Sequence, residues 1–178
     1  MLVDRIDMYG YNIDVLRSFV LRRYNLVSSF EISSIKGIKL IGSFCGYNLE
    51  KSGSVLRFLK FVSRLTRSSV KLKFKTRGYR EKDLFSGYSY VQSCDISIFL
   101  NYFFYYLIPS MKSRGIPYNL YMNNEGNLIL NLSDFTAFDR FKGEDFYKLN
   151  TGFSIIFYWE GLVTEPTLLM LRNLGCVI

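Results

Sequence analysis

The chain has 178 residues, of which 49% are hydrophobic and 17% aromatic, and it carries a formal net charge of +8 at pH 7. This composition predicts one domain, residues 1–178, with a sizeable core, and it excludes a disordered chain. Because the sequence has no histidine, catalysis by Ser-His-Asp or Cys-His sets and metal sites that use histidine are excluded.

The first half of the chain predicts two helices with a strand between them. Residues 12–23 have apolar side chains at helical spacing, and residues 35–44 resemble a strand interrupted by glycines. Residues 54–67 give the clearest helix, because apolar and basic positions each recur every three or four residues. Its predicted buried stripe is Val55, Leu59, Val62 and Leu65, and its predicted basic face is Arg57, Lys60, Arg64 and Arg67.

Residues 70–76 alternate strictly between apolar and basic side chains, which predicts a strand with one lysine face. The segment 77–87 is predicted to be a protruding loop, followed by a strand over 88–95. The apolar run 96–111 is too short to span a membrane, so it is predicted to be a buried helix. Strands over 127–132 and 153–160 and a final helix over 164–173 complete the order. The predicted fold is therefore α+β, a mostly antiparallel sheet with helices packed on one face.

The positive charge is concentrated in one part of the chain. Residues 1–82 hold 17 Lys and Arg against 6 Asp and Glu, whereas residues 83–178 hold 6 against 9. Residues 57–82 alone contain ten basic residues and one acidic residue. A concentrated patch creates a field that attracts an anionic partner, namely nucleic acid, an acidic membrane or an acidic protein. Two neighbouring elements with aligned basic faces favour an RNA backbone as that partner.

Three further groups of residues, namely tyrosines, carboxylates and cysteines, could take part in binding or chemistry. Tyr79, Tyr88, Tyr90 and Tyr118 could stack on unpaired bases, or they could be packing residues of an aromatic chain. The carboxylates Asp134, Asp139, Glu144 and Asp145 cluster without histidine or a phosphate-binding glycine loop, so we expect no enzyme activity, no cofactor and no metal. Cys45, Cys94 and Cys176 are widely separated, which favours buried thiols in a reducing compartment.

Several short motifs of the second half occur in an order known from one protein family. They are Leu107-Ile108-Pro109, Arg114-Gly115-Ile116, Gly126-Asn127-Leu128, Ala137-Phe138, the segment 152–157, Leu168-Leu169 and Leu174-Gly175. With this order and spacing the chain resembles large-subunit ribosomal protein five in its organellar, mitochondrial form. It departs from the family pattern at Asp139 and Val177, where prolines are usual, and residues 1–11 form an N-terminal extension that matches nothing in the family.

The resemblance implies a structural protein of the large ribosomal subunit, located in the central protuberance. Its implied partners are 5S ribosomal RNA or an equivalent part of the large-subunit RNA, the peptidyl-site tRNA and neighbouring ribosomal proteins, with no membrane span. The predicted RNA-binding residues are Lys36, Lys39, Arg57, Lys60, Arg64, Arg67, Lys71, Lys73, Lys75, Lys112 and Arg114. The predicted tRNA-contacting residues in the 77–87 loop are Arg77, Tyr79, Arg80 and Lys82.

The expected location is the mitochondrial matrix, with the gene in the organelle. Tyr, Phe, Ile, Asn, Ser and Lys are abundant while alanine occurs once, which is typical of an A+T-rich coding sequence. The first residues lack the features of a secretory signal or a transit peptide. The alternative function is a peripheral-membrane or protein-interaction adaptor that uses the same basic residues. An enzyme using the carboxylates of 134–145 is a third hypothesis.

Overall fold

The computed structural model of the chain describes residues 8–28, 31–43, 52–77, 81–132, 138, 152–161 and 163–174. For residues 8–13, 43, 52–55, 57, 74–77 and 81–85 among them it describes the backbone only. The predicted α+β fold is confirmed: the strands form one antiparallel sheet in the order β2-β3-β1-β6-β5-β4, and helices pack on one of its faces. The strands are β1 (Ser34–Ser43), β2 (Lys71–Arg77), β3 (Glu81–Tyr90), β4 (Tyr118–Met122), β5 (Leu128–Leu132) and β6 (Phe153–Glu160).

The helices are α1 (Met8–Tyr24), α2 (Ser52–Thr66), α3 (Ile96–Tyr102), α4 (Ile108–Arg114) and α5 (Glu165–Asn173). A 3₁₀ turn, Ser93–Asp95, leads into α3, and a π-helical turn, Phe103–Leu107, joins α3 to α4.

The helix from α3 to α4 passes through Pro109 without stopping. The backbone N–H of Ile108 donates to the carbonyl of Phe103, five residues back, and this wider turn precedes the proline, which has no N–H to donate. The helix ends at Gly115, whose φ of 64° suits a residue without Cβ. There the N–H of Ile116 donates to the carbonyl of Met111 over 3.0 Å, which closes a Schellman motif.

The core lies between the sheet and the helices. Alternate residues of β1, β5 and β6 are buried on this side, and aromatic rings of α2 and the α3–α4 helix meet them. Phe61 makes an edge-to-face contact with Phe153 at 6.2 Å between ring centroids, and Phe103 packs on Phe157 at 4.8 Å. These contacts bury one face of the sheet and leave the other face uncovered by any described helix. The buried strand residues are Ile38, Leu40, Leu128, Leu130, Leu132, Phe153, Ile155 and Phe157.

The predicted buried stripe of α2 is correct for Val62 but misses the two phenylalanines that lie deepest in the core. Phe58, Phe61 and Val62 are fully buried, while Leu59 and Leu65 are only partly buried. The side chain of Val55 lies outside the described part. Large aromatic rings fill the space above the sheet better than the smaller aliphatic residues on the neighbouring stripe, and packing therefore rotates the helix toward its phenylalanines.

The predicted 77–87 loop is also wrong, because β3 begins at Glu81. It pairs with β2 from Lys71 opposite Tyr88 to Arg77 opposite Glu81, with one irregularity between Lys73 and Phe74. The polar composition of this segment resembles a loop, yet the register sets opposite charges across the ladder, which favours strand pairing. The predicted strand over 88–95 accordingly stops at Tyr90.

Strand β4 was not predicted from the sequence, where no element was expected between the helix over 96–111 and the strand over 127–132. It forms a hairpin with β5 through a turn at 123–127, where the Oδ1 of Asn123 accepts hydrogen bonds from the backbone N–H groups of Glu125 and Asn127. Gly126 has a φ of 78°, a conformation that favours glycine. The short side-chain-to-backbone bonds of this turn fix the register of the whole edge of the sheet.

Candidate nucleic-acid interface

The face of the sheet opposite the helices, called here the open face, carries a group of lysine and tyrosine side chains. Antiparallel strands place directly opposed residues on the same face. In the strand register, Lys39 lies opposite Tyr90 and Lys71 lies opposite Tyr88. Lys73 lies opposite Ser86, which precedes Tyr88 by two residues on β3. We call Lys39, Lys71, Lys73, Tyr88 and Tyr90 the lysine–tyrosine patch.

The patch is built around the two tyrosine rings. The Nζ of Lys39 lies 4.7 Å from the ring centroid of Tyr88 and 5.3 Å from that of Tyr90. The Nζ of Lys73 lies 5.4 Å from the ring of Tyr88. The two rings contact each other edge to face at 6.0 Å. Cation–π contacts of this kind hold the ammonium groups above the sheet while they stay accessible to an anion.

The positive charges of the patch are close enough to act together. Residues two apart on a strand are separated by roughly 6.6–6.8 Å, and strands two apart by roughly 9.5 Å. These distances are comparable to the Debye length, which is about 8 Å at physiological salt and about 10 Å at 0.1 M, so the fields of the three ammonium groups overlap. Among the described side chains of β1, β2 and β3 none is acidic. The spacing along β2 approximates that of successive phosphates on a nucleic-acid strand.

The basic residues of α2 do not share this face, so the prediction of aligned basic faces on α2 and β2 was wrong. Phe58 of α2 packs where a Cβ on Gly42 would lie, and Thr66 at its end is 3.0 Å from the hydroxyl of Ser89. Gly42 and Ser89 alternate with the open-face residues of their strands, so α2 covers the opposite face. Lys60 and Arg64 are exposed on this helix layer, and the side chain of Arg57 lies outside the described part.

Arg67 lies beyond the end of α2 and has a structural contact. It has a φ of 53°, which is uncommon for a residue with Cβ, and its guanidinium donates to Oδ1 of Asp95 over 2.9 Å. Asp95 is largely buried at the start of the α3 helix, and Arg67 is about half exposed. The ion pair therefore ties the α2–β2 corner to the α3 helix.

We expect the substitution Arg67→Met to lower the free energy of unfolding by about 1 kcal/mol, because it leaves a largely buried carboxylate without this partner. Urea denaturation measures the change, and Lys60→Met on the exposed side of α2 is the matched control. Equal stability of the two variants would show that the ion pair contributes nothing.

The other predicted RNA-binding residues are dispersed. Lys36 is exposed on β1 beside a bulge between Ile35 and Gly37, on the same strand as Lys39. Lys112 and Arg114 are exposed at the end of α4, on the helix layer, and are not part of the lysine–tyrosine patch.

The ribbon formed by β2 and β3 continues beyond its pairing with β1. The β1–β3 ladder ends at Ser43 opposite Ser86, whereas the β2–β3 ladder continues to Arg77 opposite Glu81. In this extension Lys75 lies opposite Asp83, and Arg77 lies opposite Glu81, so the register sets an acidic residue opposite each of these two basic residues. Lys82 is in β3, opposite Thr76. Tyr79 and Arg80 lie outside the described residues.

One predicted stacking residue lies on the wrong face, and a polar group on the open face was missed. Tyr118 stands opposite Leu132 and packs against the core. On the open face the hydroxyl of Ser154 donates to Oδ1 of Asn131 over 2.6 Å, and Tyr121 is close to the amide of the same asparagine. The signal that could have identified this group is that Asn131 and Ser154 are single polar residues within otherwise apolar strand segments.

The carboxylates proposed for a third function, Asp134, Asp139, Glu144 and Asp145, lie outside the described residues. In the part of the chain that the structure does describe, no three acidic or cysteine side chains come together as metal ligands would. Within the same ranges, no helix combines the length and apolarity required to cross a membrane.

No protein-family model matches this sequence, and a comparison with curated proteins gives no significant match.

Proposed function

We propose that the chain is a structural RNA-binding protein of the large ribosomal subunit. In this proposal it binds 5S ribosomal RNA, or an equivalent part of the large-subunit RNA, in the central protuberance of a mitochondrial ribosome. Neighbouring ribosomal proteins are its further partners, and it acts without enzyme activity. The observation that carries the proposal is the lysine–tyrosine patch on the open face.

The composition of the patch supports an RNA ligand. Ammonium groups at phosphate-like spacing bind a nucleic-acid backbone by releasing counterions, and this binding does not require a particular sequence. Tyr90 is 47% exposed, so part of its ring is available to an unpaired base. The resemblance of the sequence to large-subunit ribosomal protein five supports the ribosomal setting.

The ribbon of β2 and β3 is the element proposed to reach the peptidyl-site tRNA. A two-stranded extension can place a few basic residues away from the body of the domain. The acidic residues Glu81 and Asp83, which the register sets opposite Arg77 and Lys75, would weaken a contact made by charge alone. A tRNA contact at this site would therefore depend on more than the charges of these opposed strand residues.

The proposal is tested by measuring the affinity of the purified protein for 5S RNA and for fragments of large-subunit RNA at several salt concentrations. With about six phosphate contacts the logarithm of the binding constant should fall by roughly 4–5 per tenfold increase in salt. An affinity that does not change with salt would contradict a backbone-binding role.

Cosedimentation with large ribosomal subunits, compared with flotation on vesicles that contain anionic lipid, separates the ribosomal proposal from the membrane alternative. We expect the protein to travel with the subunits and to remain with them after a moderate salt wash. Flotation with the vesicles, and no association with subunits, would favour the peripheral-membrane adaptor.

A further inference from the structure

A cavity of about 230 Å³ lies on the helix side of the sheet, where α1, the α3 helix and α5 meet β1 and β6. Its walls are mostly apolar and include Ile35, Ile96, Met170 and Leu171. Arg17 of α1 and Trp159 of β6 also line it. The cavity is separate from the lysine–tyrosine patch, because Trp159 alternates with the open-face residues of β6.

Two hydrogen-bond donors, in two of the residues that line the cavity, have no acceptor within the protein. The Nε of Arg17 and the Nε1 of Trp159 are buried, and neither is hydrogen-bonded to another group of the chain. Buried N–H groups are almost always paired, because an unpaired one costs free energy. Two such donors beside one cavity indicate that the cavity accommodates a group that accepts hydrogen bonds.

The residues of the wall restrict the chemistry of that group. Of the described residues that line the cavity, Arg17 is the only charged one. A guanidinium pairs best with a planar carboxylate, whose second oxygen can accept from a further donor such as an indole N–H. The apolar walls favour a ligand with a hydrophobic body. The volume is below the roughly 300–1,000 Å³ of sites for drug-sized ligands, so the ligand is small.

We infer that this cavity binds a small monocarboxylate with an apolar body, whose carboxylate accepts from Arg17 and Trp159. The inference does not depend on RNA binding, since it rests on other residues on the opposite side of the sheet. The carboxylate can belong to a free metabolite or to an acidic side chain or chain end of a neighbouring protein, and the experiment distinguishes these sources.

The experiment uses the full chain and hexanoate as the probe. Trp159 is the only tryptophan, so its fluorescence reports directly from the cavity wall. We expect hexanoate to change the emission in a saturable way, with a Kd of about 1 mM or below, and hexanamide of the same size to bind about tenfold more weakly. Inorganic phosphate tests for a general anion site and is expected to compete poorly. A short peptide that ends in an apolar residue with a free carboxylate tests the protein source.

The variant Arg17→Met should weaken hexanoate binding about tenfold or more, and Arg17→Lys should restore part of it, because the charge remains but the planar fork is lost. Arg22→Met, an exposed arginine on the same helix, is the matched control and should bind as the wild type does. Binding to Trp159→Phe is followed by ligand-observed NMR and should also be weaker.

Circular dichroism shows whether each variant is folded, and the comparison of hexanoate with hexanamide on the wild type decides the question if Arg17→Met does not fold. The inference is overturned if no carboxylate probe binds, if hexanamide or phosphate binds as tightly as hexanoate, or if Arg17→Met retains full affinity. Stronger binding of the peptide than of hexanoate would identify a neighbouring protein as the source of the carboxylate.

Discussion

Replacing Lys39, Lys71 and Lys73 together by glutamine is expected to weaken the binding of ribosomal RNA about 100-fold at 0.1 M salt. The ammonium groups of Lys39 and Lys73 lie over the ring of Tyr88, and the register sets Lys71 opposite the same tyrosine on the open face. Each phosphate contact that is lost removes its share of counterion release, so the salt dependence should also become shallower, by about 2–3 in the log–log slope. Filter binding or fluorescence anisotropy across a salt series measures both effects.

The matched control removes three positive charges elsewhere. Arg22, Arg23 and Arg172 are exposed on α1 and α5, and changing them to glutamine lowers the net charge by the same amount. We expect this control to lose much less affinity than the patch variant, because its charges lie outside the patch. If both triple variants lose affinity equally, overall charge and not the lysine–tyrosine patch attracts the RNA. The patch variant should unfold at the same urea concentration as the wild type, since its side chains are not in the core.

Changing Gly42 to alanine is expected to lower the free energy of unfolding by about 1–3 kcal/mol. A Cβ at this position of β1 would overlap with the ring of Phe58, which is 1% exposed and cannot move aside without disturbing its neighbours. The substitution would displace α2 from the sheet and destabilise the strands that carry the lysine–tyrosine patch. Urea denaturation followed by circular dichroism measures the loss.

Gly37 provides the control on the same strand. No atom lies within 4 Å of a Cβ built there, so Gly37→Ala should change stability little. The double variant Gly42→Ala with Phe58→Leu tests the cause, because a smaller side chain on α2 relieves the overlap, and it should lose less than the two single changes combined. Equal losses for Gly37→Ala and Gly42→Ala would show that the cost arises from the strand backbone and not from packing on α2.

Local patterns predicted most of the elements. Strand β6 was predicted with its observed bounds, 153–160, because a short run rich in aromatic and β-branched residues lies there between Gly152 and Gly161. The lysine face of β2 was predicted correctly for Lys71 and Lys73, which are exposed while Leu72 between them is partly buried. The start of β3 was not predictable in the same way, because pairing with β2 and not local composition makes that segment a strand.

The candidate site, like the fold, was predicted from the sequence only in part. The sequence identified Lys39, Lys71 and Lys73 as RNA-binding candidates, but it grouped them with the basic residues of α2. Which side of the sheet a helix covers depends on contacts such as Phe58 above Gly42, and no local pattern contains that information. The unpaired donors of Arg17 and Trp159 could not be predicted either, because the two residues are 142 positions apart in the chain and only the packing of the folded chain brings them to one cavity.

By itself, the sequence determined the α+β class, the absence of histidine chemistry and the concentration of positive charge before residue 83. These properties depend on composition and on periodicity along the chain, and both are obtained directly from the sequence. The tertiary structure alone decided that the lysines of two strands meet around two tyrosines on the open face, that Arg67 pairs with Asp95, and that a cavity forms beside Trp159. Each of these depends on which distant surfaces pack together, and packing is set by the fit of side-chain volumes across the whole core.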